Sequence, residues 1–185
     1  VTITITDATT LKVIDGSGIV DVAGTGLTVD GNPSVAAAGG VTMTGTDAGL
    51  DNLLGGAGGD TISGGGVADS LSGAGGADTI HGGGGNDLII GGAGIDTLHG
   101  DAGNDNFVVV TTGDFTSLAS PETISGGDGT DTLIFGGTST LAAGTHAVAA
   151  NATAYTVAAT DLHNVDVEQI KSYETGTFTL TVDDI

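Results

Sequence analysis

Thr46–Val108 reads TDAGLDNLL GGAGGDTIS GGGVADSLS GAGGADTIH GGGGNDLII GGAGIDTLH GDAGNDNFV, seven nine-residue units head to tail. Every unit has Asp at its sixth place and an aliphatic residue or Phe at its eighth, and six of the seven have Gly at the fourth. An eighth unit, GGDGTDTLI, occupies Gly126–Ile134 after an irregular gap. A short period held in phase over this length marks a solenoid, in which each unit stacks on its neighbours. A flexible Gly-rich linker has no reason to keep an acid and an aliphatic in register.

Each place has a physical role. The first five are Gly-rich, so the backbone can turn sharply and bring its carbonyls inward around a small volume. Asp at place six ends the turn with a carboxylate. Places seven to nine form a short strand, with the eighth side chain on the face opposite the seventh and ninth. The eighth-place residues Leu53, Ile62, Leu71, Ile80, Ile89, Leu98, Phe107 and Leu133 form an apolar column. Seventh places are mostly Thr, Ser or Asn, as an outward face requires. A carboxylate with several carbonyl oxygens, no Cys and few His is a hard-oxygen donor set suited to calcium.

The run resembles the GGxGxDxUx nonapeptides of the RTX (repeats-in-toxin) family. The resemblance implies an all-β fold, a right-handed parallel β-roll with two nonapeptides per turn, irregular β caps at both ends, and calcium between the turn loops of units n and n+2. Carried over, one side of the roll stacks Asp51, Asp69, Asp87 and Asp105, and the other stacks Asp60, Asp78 and Asp96. Asp131 falls on the side of Asp105, and Glu122, in Glu122-Thr-Ile-Ser, serves as a degenerate ligand below Asp96. The turn residues implied as further donors are Gly55, Ala57, Gly64, Gly66, Gly73, Gly75, Gly82, Gly84, Gly91, Ala93, Gly100, Ala102, Gly126 and Asp128. Counting n to n+2 pairs gives about five ions, and up to about seven with Glu122 and Asp131. The departures are Thr46 for Gly at place one, Val67 for Gly at place four, Ala74 for Gly at place two, and Asp47, Asp101 and Asp128 at place two or three. Val67 puts its loop most in doubt, because a β-branched residue disfavours positive φ.

Stacked strands about 5 Å apart would hold like carboxylates at a repulsion of about 3 kcal/mol per neighbour pair, at an effective dielectric near 20. A divalent cation between each pair reverses that sign, so the expectation is a chain unfolded without calcium. The whole composition agrees, with 23 acids against Lys12 and Lys171 and a formal charge of −21. Nucleic acid and acidic lipid both need basic footprints and are excluded as direct partners. With no Cys there is neither a disulfide nor a thiol nucleophile. No apolar stretch approaches the length that spans a membrane, and no charged-then-apolar leader is present.

Three regions follow: residues 1–45 as an N-terminal β cap, 46–134 as the roll interrupted by a loop at 109–121, and 135–185 as a C-terminal β cap. Val1–Thr6 alternates as a half-buried strand, and Val165–Val182 reads as two strands about the turn Glu174-Thr175-Gly176. Ala147–Ala159 carries only a weak helical signal. His81 and His99 occupy ninth places 18 residues apart and should stack, as exposed polar positions in preference to a transition-metal site. Alternating Thr at both ends is the usual content of outward strand faces, favoured over an ice-binding ladder.

No H-E-x-x-H, G-x-S-x-G or Cys nucleophile is present, so no catalysis is expected. Two functions compete. The favoured one is a secreted, calcium-dependent structural protein of the bacterial cell surface that self-assembles as an S-layer, sheath or filament. The other is an accessory calcium-folding module of a larger type I-secreted enzyme, toxin or adhesin. VTITIT makes a sensible first strand, so 185 residues are expected to suffice as a small protein, and Val182-Asp-Asp-Ile185 is similar to a type I secretion signal. The expected partners are calcium, further copies joined through terminal strands, and a cell-surface polysaccharide, with no direct membrane insertion.

Overall fold

The computed structural model describes residues 40–47, 49–109, 123–135 and 165–171, together with the strand backbones at 12–15, 18–21, 28–30, 138–139, 148–149, 155–158, 172 and 178–181. Along the chain, β1 (Lys12–Asp15) and β2 (Gly18–Asp21) pair antiparallel, and β3 (Thr28–Asp30) and β4 (Thr42–Thr44) open the roll. The repeats supply β5 (Asn52–Gly56), β6 (Thr61–Gly65), β7 (Ser70–Gly75), β8 (Thr79–Gly84), β9 (Leu88–Ala93), β10 (Thr97–Ala102) and β11 (Asn106–Val109). Next come β12 (Thr123–Asp128), β13 (Thr132–Phe135), β14 (Thr138–Ser139), β15 (Val148–Ala149) and β16 (Tyr155–Ala158). The last three are β17 (Val165–Asp166), β18 (Gln169–Ser172) and β19 (Phe178–Thr181).

Successive repeats alternate between two parallel sheets. One runs β17-β12-β10-β8-β6-β4 and the other β18-β13-β11-β9-β7-β5-β3. Two nonapeptides therefore make one turn of a parallel β-roll, and unit n pairs with unit n+2. The register is strict: Ile62 pairs with Ile80 and Ile80 with Leu98 in the first sheet, and Leu53 with Leu71 and Leu71 with Ile89 in the second. The eighth-place column lies between the sheets, joined by Met43, Ile124, Val109 and Phe135 in one buried cluster. These side chains point inward because place eight alternates with places seven and nine along each strand.

The outward faces differ between sheets. In the six-stranded sheet places seven and nine are polar and partly exposed, and His81 and His99 stack there as expected, with ring centroids 4.5 Å apart. In the seven-stranded sheet, Leu88, Ile90, Val108 and Ile134 form a second buried cluster. Places seven and nine are thus not uniformly outward and polar.

Several expectations change. Val109 belongs to β11 and to the core, so the interruption of the repeats begins after it. Glu122, Val1–Thr6 and the turn Glu174-Thr175-Gly176 lie outside the described residues. Within Ala147–Ala159 the described residues are strand. The strands expected on either side of Glu174 do not pair with each other: β18 joins β13 in the roll, and β19 pairs with β16 in a separate two-stranded sheet.

Candidate metal centre

The turn loops decide what the roll can bind. The aspartates stack in two columns, as expected. In the first, the backbone N–H of Asp51 donates to Oδ1 of Asp69, Asp69 to Asp87, Asp87 to Asp105, and Asp105 to Asp131, all at 2.7–2.8 Å. In the second, Asp60 donates to Oδ1 of Asp78 and Asp78 to Asp96, at 2.7 and 2.9 Å. All eight carboxylates are buried, none more than 2% exposed.

From Asp60 onward, one oxygen of each carboxylate is thus held by a backbone N–H of the stretch above, that of Val41 in the case of Asp60. The other faces its own loop. Oδ2 of Asp51 and Asp60 accept local N–H groups, from Thr46 and Gly56. Oδ2 of Asp69, Asp78, Asp87, Asp105 and Asp131 are buried with no hydrogen-bond donor. A buried, unsatisfied anionic oxygen is costly unless a cation compensates it. Burial pushes Asp69 and Asp87 up to about 7 and Asp78 and Asp105 to about 6, against backbone donors that pull down, with neighbouring carboxylates adding to the rise. Burial likewise raises Asp131, and the charges of Glu168 and Asp166 add to it.

The gap between the fourth and sixth units shows what surrounds these oxygens. From the fourth unit, the carbonyls of Ala74 and Gly76, at places two and four, lie against Gly92 and Gly94. From the sixth, the carbonyl of Gly91 (place one) lies against Gly73, and that of Ala93 (place three) accepts the N–H of Gly76 at 2.8 Å. Oδ2 of Asp78 sits beside Gly73, and Oδ1 of Asp96 completes the set. Four carbonyls and two carboxylate oxygens face one gap, within the six to eight oxygens that calcium takes. Between the seventh and eighth units the same pattern holds, with the carbonyls of Asp101, Gly103, Gly126 and Asp128 and the carboxylates of Asp105 and Asp131. Among the described residues no three His, Cys, Asp or Glu side chains gather at one point, so carbonyl oxygens must make up the donor set. The residues fit a hard, oxygen-preferring divalent cation.

Of the expected donors, Gly64, Gly73, Gly82, Gly91, Gly100 and Gly126 at place one and Ala93, Ala102 and Asp128 at place three turn their carbonyls toward the preceding loop of the stack, and the Asp128 side chain is exposed. The carbonyls of places two and four, including those of Thr46, Gly65, Ala74 and Asp101, were missed. Alternation was the available signal: successive peptide units in an extended turn face opposite ways, so even places must serve the other neighbour. The first unit also shifts register. Thr44 pairs with Ser63, a ninth place, so Gly45 is place one and Thr46 is place two. One extra residue between Asp47 and Asp51 absorbs the shift, so Gly45 fills place one and Thr46 replaces Gly at place two instead. Val67 does not take positive φ. Among the described non-glycine residues, Ala74 and Asp101 do, both at place two, at φ 74° and 70°.

The sequence model of the RTX calcium-binding nonapeptide repeat matches in four copies, over residues 46–80, 54–89, 81–108 and 122–138. No curated protein and no solved structure matches the chain. The matched residues are those whose loops form the oxygen-lined gaps, and the repeats of this chain are RTX calcium-binding nonapeptide repeats.

Proposed function

We propose that this chain is a secreted structural protein of the bacterial cell surface that folds on meeting extracellular calcium and then self-assembles as a layer, sheath or filament. Calcium supplies the positive charge that lets the stacked carboxylates lie together. The residues that would hold it are the paired aspartates Asp51/Asp69, Asp60/Asp78, Asp69/Asp87, Asp78/Asp96, Asp87/Asp105 and Asp105/Asp131, with the carbonyls of places one to four between them. The role is structural rather than catalytic.

One observation carries the assembly reading. Among the described residues the core column ends in the open. Ile170 pairs with Leu133 at the foot of the column yet is 40% exposed, and β17 and β18 are edge strands among the described strands. An apolar column that ends at an unpaired edge is a template for the strand of another copy. The contact would be head to tail and would propagate unless rotation closed a ring. It sits at the end of the roll, whereas β19, near the expected terminal contact, already pairs with β16.

The accessory-module reading is favoured by the charges on the same edge. Asp166, Glu168 and Lys171 flank Ile170, and edge charges are a common guard against pairing. Circular dichroism tests the calcium half of the proposal. Millimolar calcium should convert a disordered chain to β structure, with per-site affinities near ~10⁻⁴–10⁻³ M. An unchanged β signal in excess EDTA would refute it.

A further inference from the structure

The column of Asp51, Asp69, Asp87, Asp105 and Asp131 does not stop at the last repeat. The backbone N–H of Asp131 donates to Oε2 of Glu168 at 2.7 Å, the contact that each aspartate above makes to the next. Gln169 N–H donates to the carbonyl of Asp131 at 2.9 Å, and β18 continues the register of β13, Thr132 with Gln169 and Leu133 with Ile170. Glu168-Gln-Ile-Lys171 therefore copies places six to nine of a unit, from a position 37 residues beyond Asp131 and outside the matched repeats.

What precedes Glu168 is unlike a repeat. Between Ser125 and Asp131 the chain passes through the whole turn Gly126–Thr130. Between Asp166, the partner of Ser125, and Glu168 there is only Val167. No Gly-rich loop is present there to bring the carbonyls of places one and three to the gap. Asp131 is nevertheless fully buried, and its Oδ2 has no hydrogen-bond donor. An anionic oxygen is left facing an end of the roll where the next contributor is a second carboxylate.

Resting on the calcium reading of the repeats, we propose that Glu168 completes a terminal calcium site against the Gly126–Asp131 loop, its carboxylate standing in for the carbonyl oxygens that a following loop would bring. A carboxylate has oxygen lone pairs beyond the one that accepts the Asp131 N–H. Two like charges held this close repel without a cation and attract through one. The consequence is a lock: calcium fastens the non-repeat segment Val165–Ser172 onto the end of the roll, and the last turn closes only when the ion is bound.

Native mass spectrometry on the full chain counts the ions. Glu168→Gln keeps an oxygen for the Asp131 N–H but removes the charge. It should bind one calcium fewer than wild type at the same free calcium, with the repeats still gaining β structure, while Glu168→Asp should keep the full count. Hydrogen exchange on the wild type gives a second readout that depends on no variant: the amides of Gln169 and Lys171, which face β13, should become protected together with those of Gly126–Asp131 as calcium rises. An unchanged ion count in Glu168→Gln, or amides of Gln169 and Lys171 left unprotected at saturating calcium, overturns the proposal while the repeats remain calcium-folded. A wild type that gains no β structure with calcium overturns the reading of the repeats, and this inference with it.

Discussion

At the scale of the residue, each aspartate does two jobs with its two oxygens. Asp87 accepts the Asp69 N–H through Oδ1 and presents a buried Oδ2 to the gap below, so it borders two gaps. Asp51 stands at the head of its described column, and its Oδ2 already accepts the Thr46 N–H. Asp87→Ala should raise the calcium concentration at the folding midpoint by about tenfold or more, since even outer-shell changes cost 10–100-fold in metal affinity. Asp51→Ala should move it less. Equal shifts in the two titrations would contradict the stacked arrangement. The same carboxylates set a pH dependence. Their folded values of about 6–7 lie above the unfolded value of 3.8, so the calcium-free fold is favoured below about pH 4 and loses that stability as pH rises through 6 to 7. In EDTA the β signal should therefore be larger at pH 4 than at pH 8. With calcium, protons compete for the same oxygens, so the calcium midpoint should fall as pH rises from 5 to 8. A calcium-free β signal that grew with pH would contradict the burial of these groups.

At the scale of the element, one turn and one strand make the whole unit, and glycine is needed unequally within the turn. A Cβ on Gly73 would meet Oδ2 of Asp78 and, at 2.7 Å, the carbonyl of Gly91. A Cβ on Gly75 would find nothing nearer than the Ala93 carbonyl at 3.7 Å. The sequence already places Ala at the equivalent third positions Ala57, Ala93 and Ala102. Gly73→Ala should shift the calcium midpoint upward or abolish folding. Gly75→Ala should be neutral or stabilising by about 0.4–1 kcal/mol, because it reduces the freedom of the unfolded chain. Paired calcium titrations of the two variants check this, and a larger penalty for Gly75→Ala would contradict the loop geometry. The strand is equally demanding at place eight: Ile80, fully buried in mid-column, should cost about 2–5 kcal/mol when cut to Ala, read from denaturant melts in saturating calcium.

At the scale of the molecule, a net charge of −21 keeps separate chains apart over a Debye length of about 8–10 Å. On the proposed reading calcium would cancel about half of that charge and order the edge at β17 and β18, where Ile170 is exposed. Millimolar calcium should therefore raise light scattering in a chelator-reversible way, and Ile170→Lys should weaken assembly without lowering the calcium-induced β signal. A folded monomer at high protein concentration in calcium would refute assembly and promote the accessory-module reading.

The nonapeptide run by itself determined the repeated turn and strand and the apolar column, and the RTX resemblance added two units per turn, from which the two sheets and the pairing of the aspartates follow. With that winding, one local rule repeated by translation, Asp at six and an aliphatic at eight, leaves little freedom for the rest. Even the carbonyls of places two and four were implied by that rule. Only the tertiary structure decided what breaks the translation. The extra residue before Asp51 is visible only once β4 has chosen its register on β6. The outward residues Leu88, Ile90, Val108 and Ile134 are buried by packing that no period encodes. Glu168 joins the carboxylate column because the chain, after a long non-repeating stretch, returns to the edge of β13. Such a contact depends on where a distant segment comes back to pair, and a residue's neighbours in sequence carry no record of that.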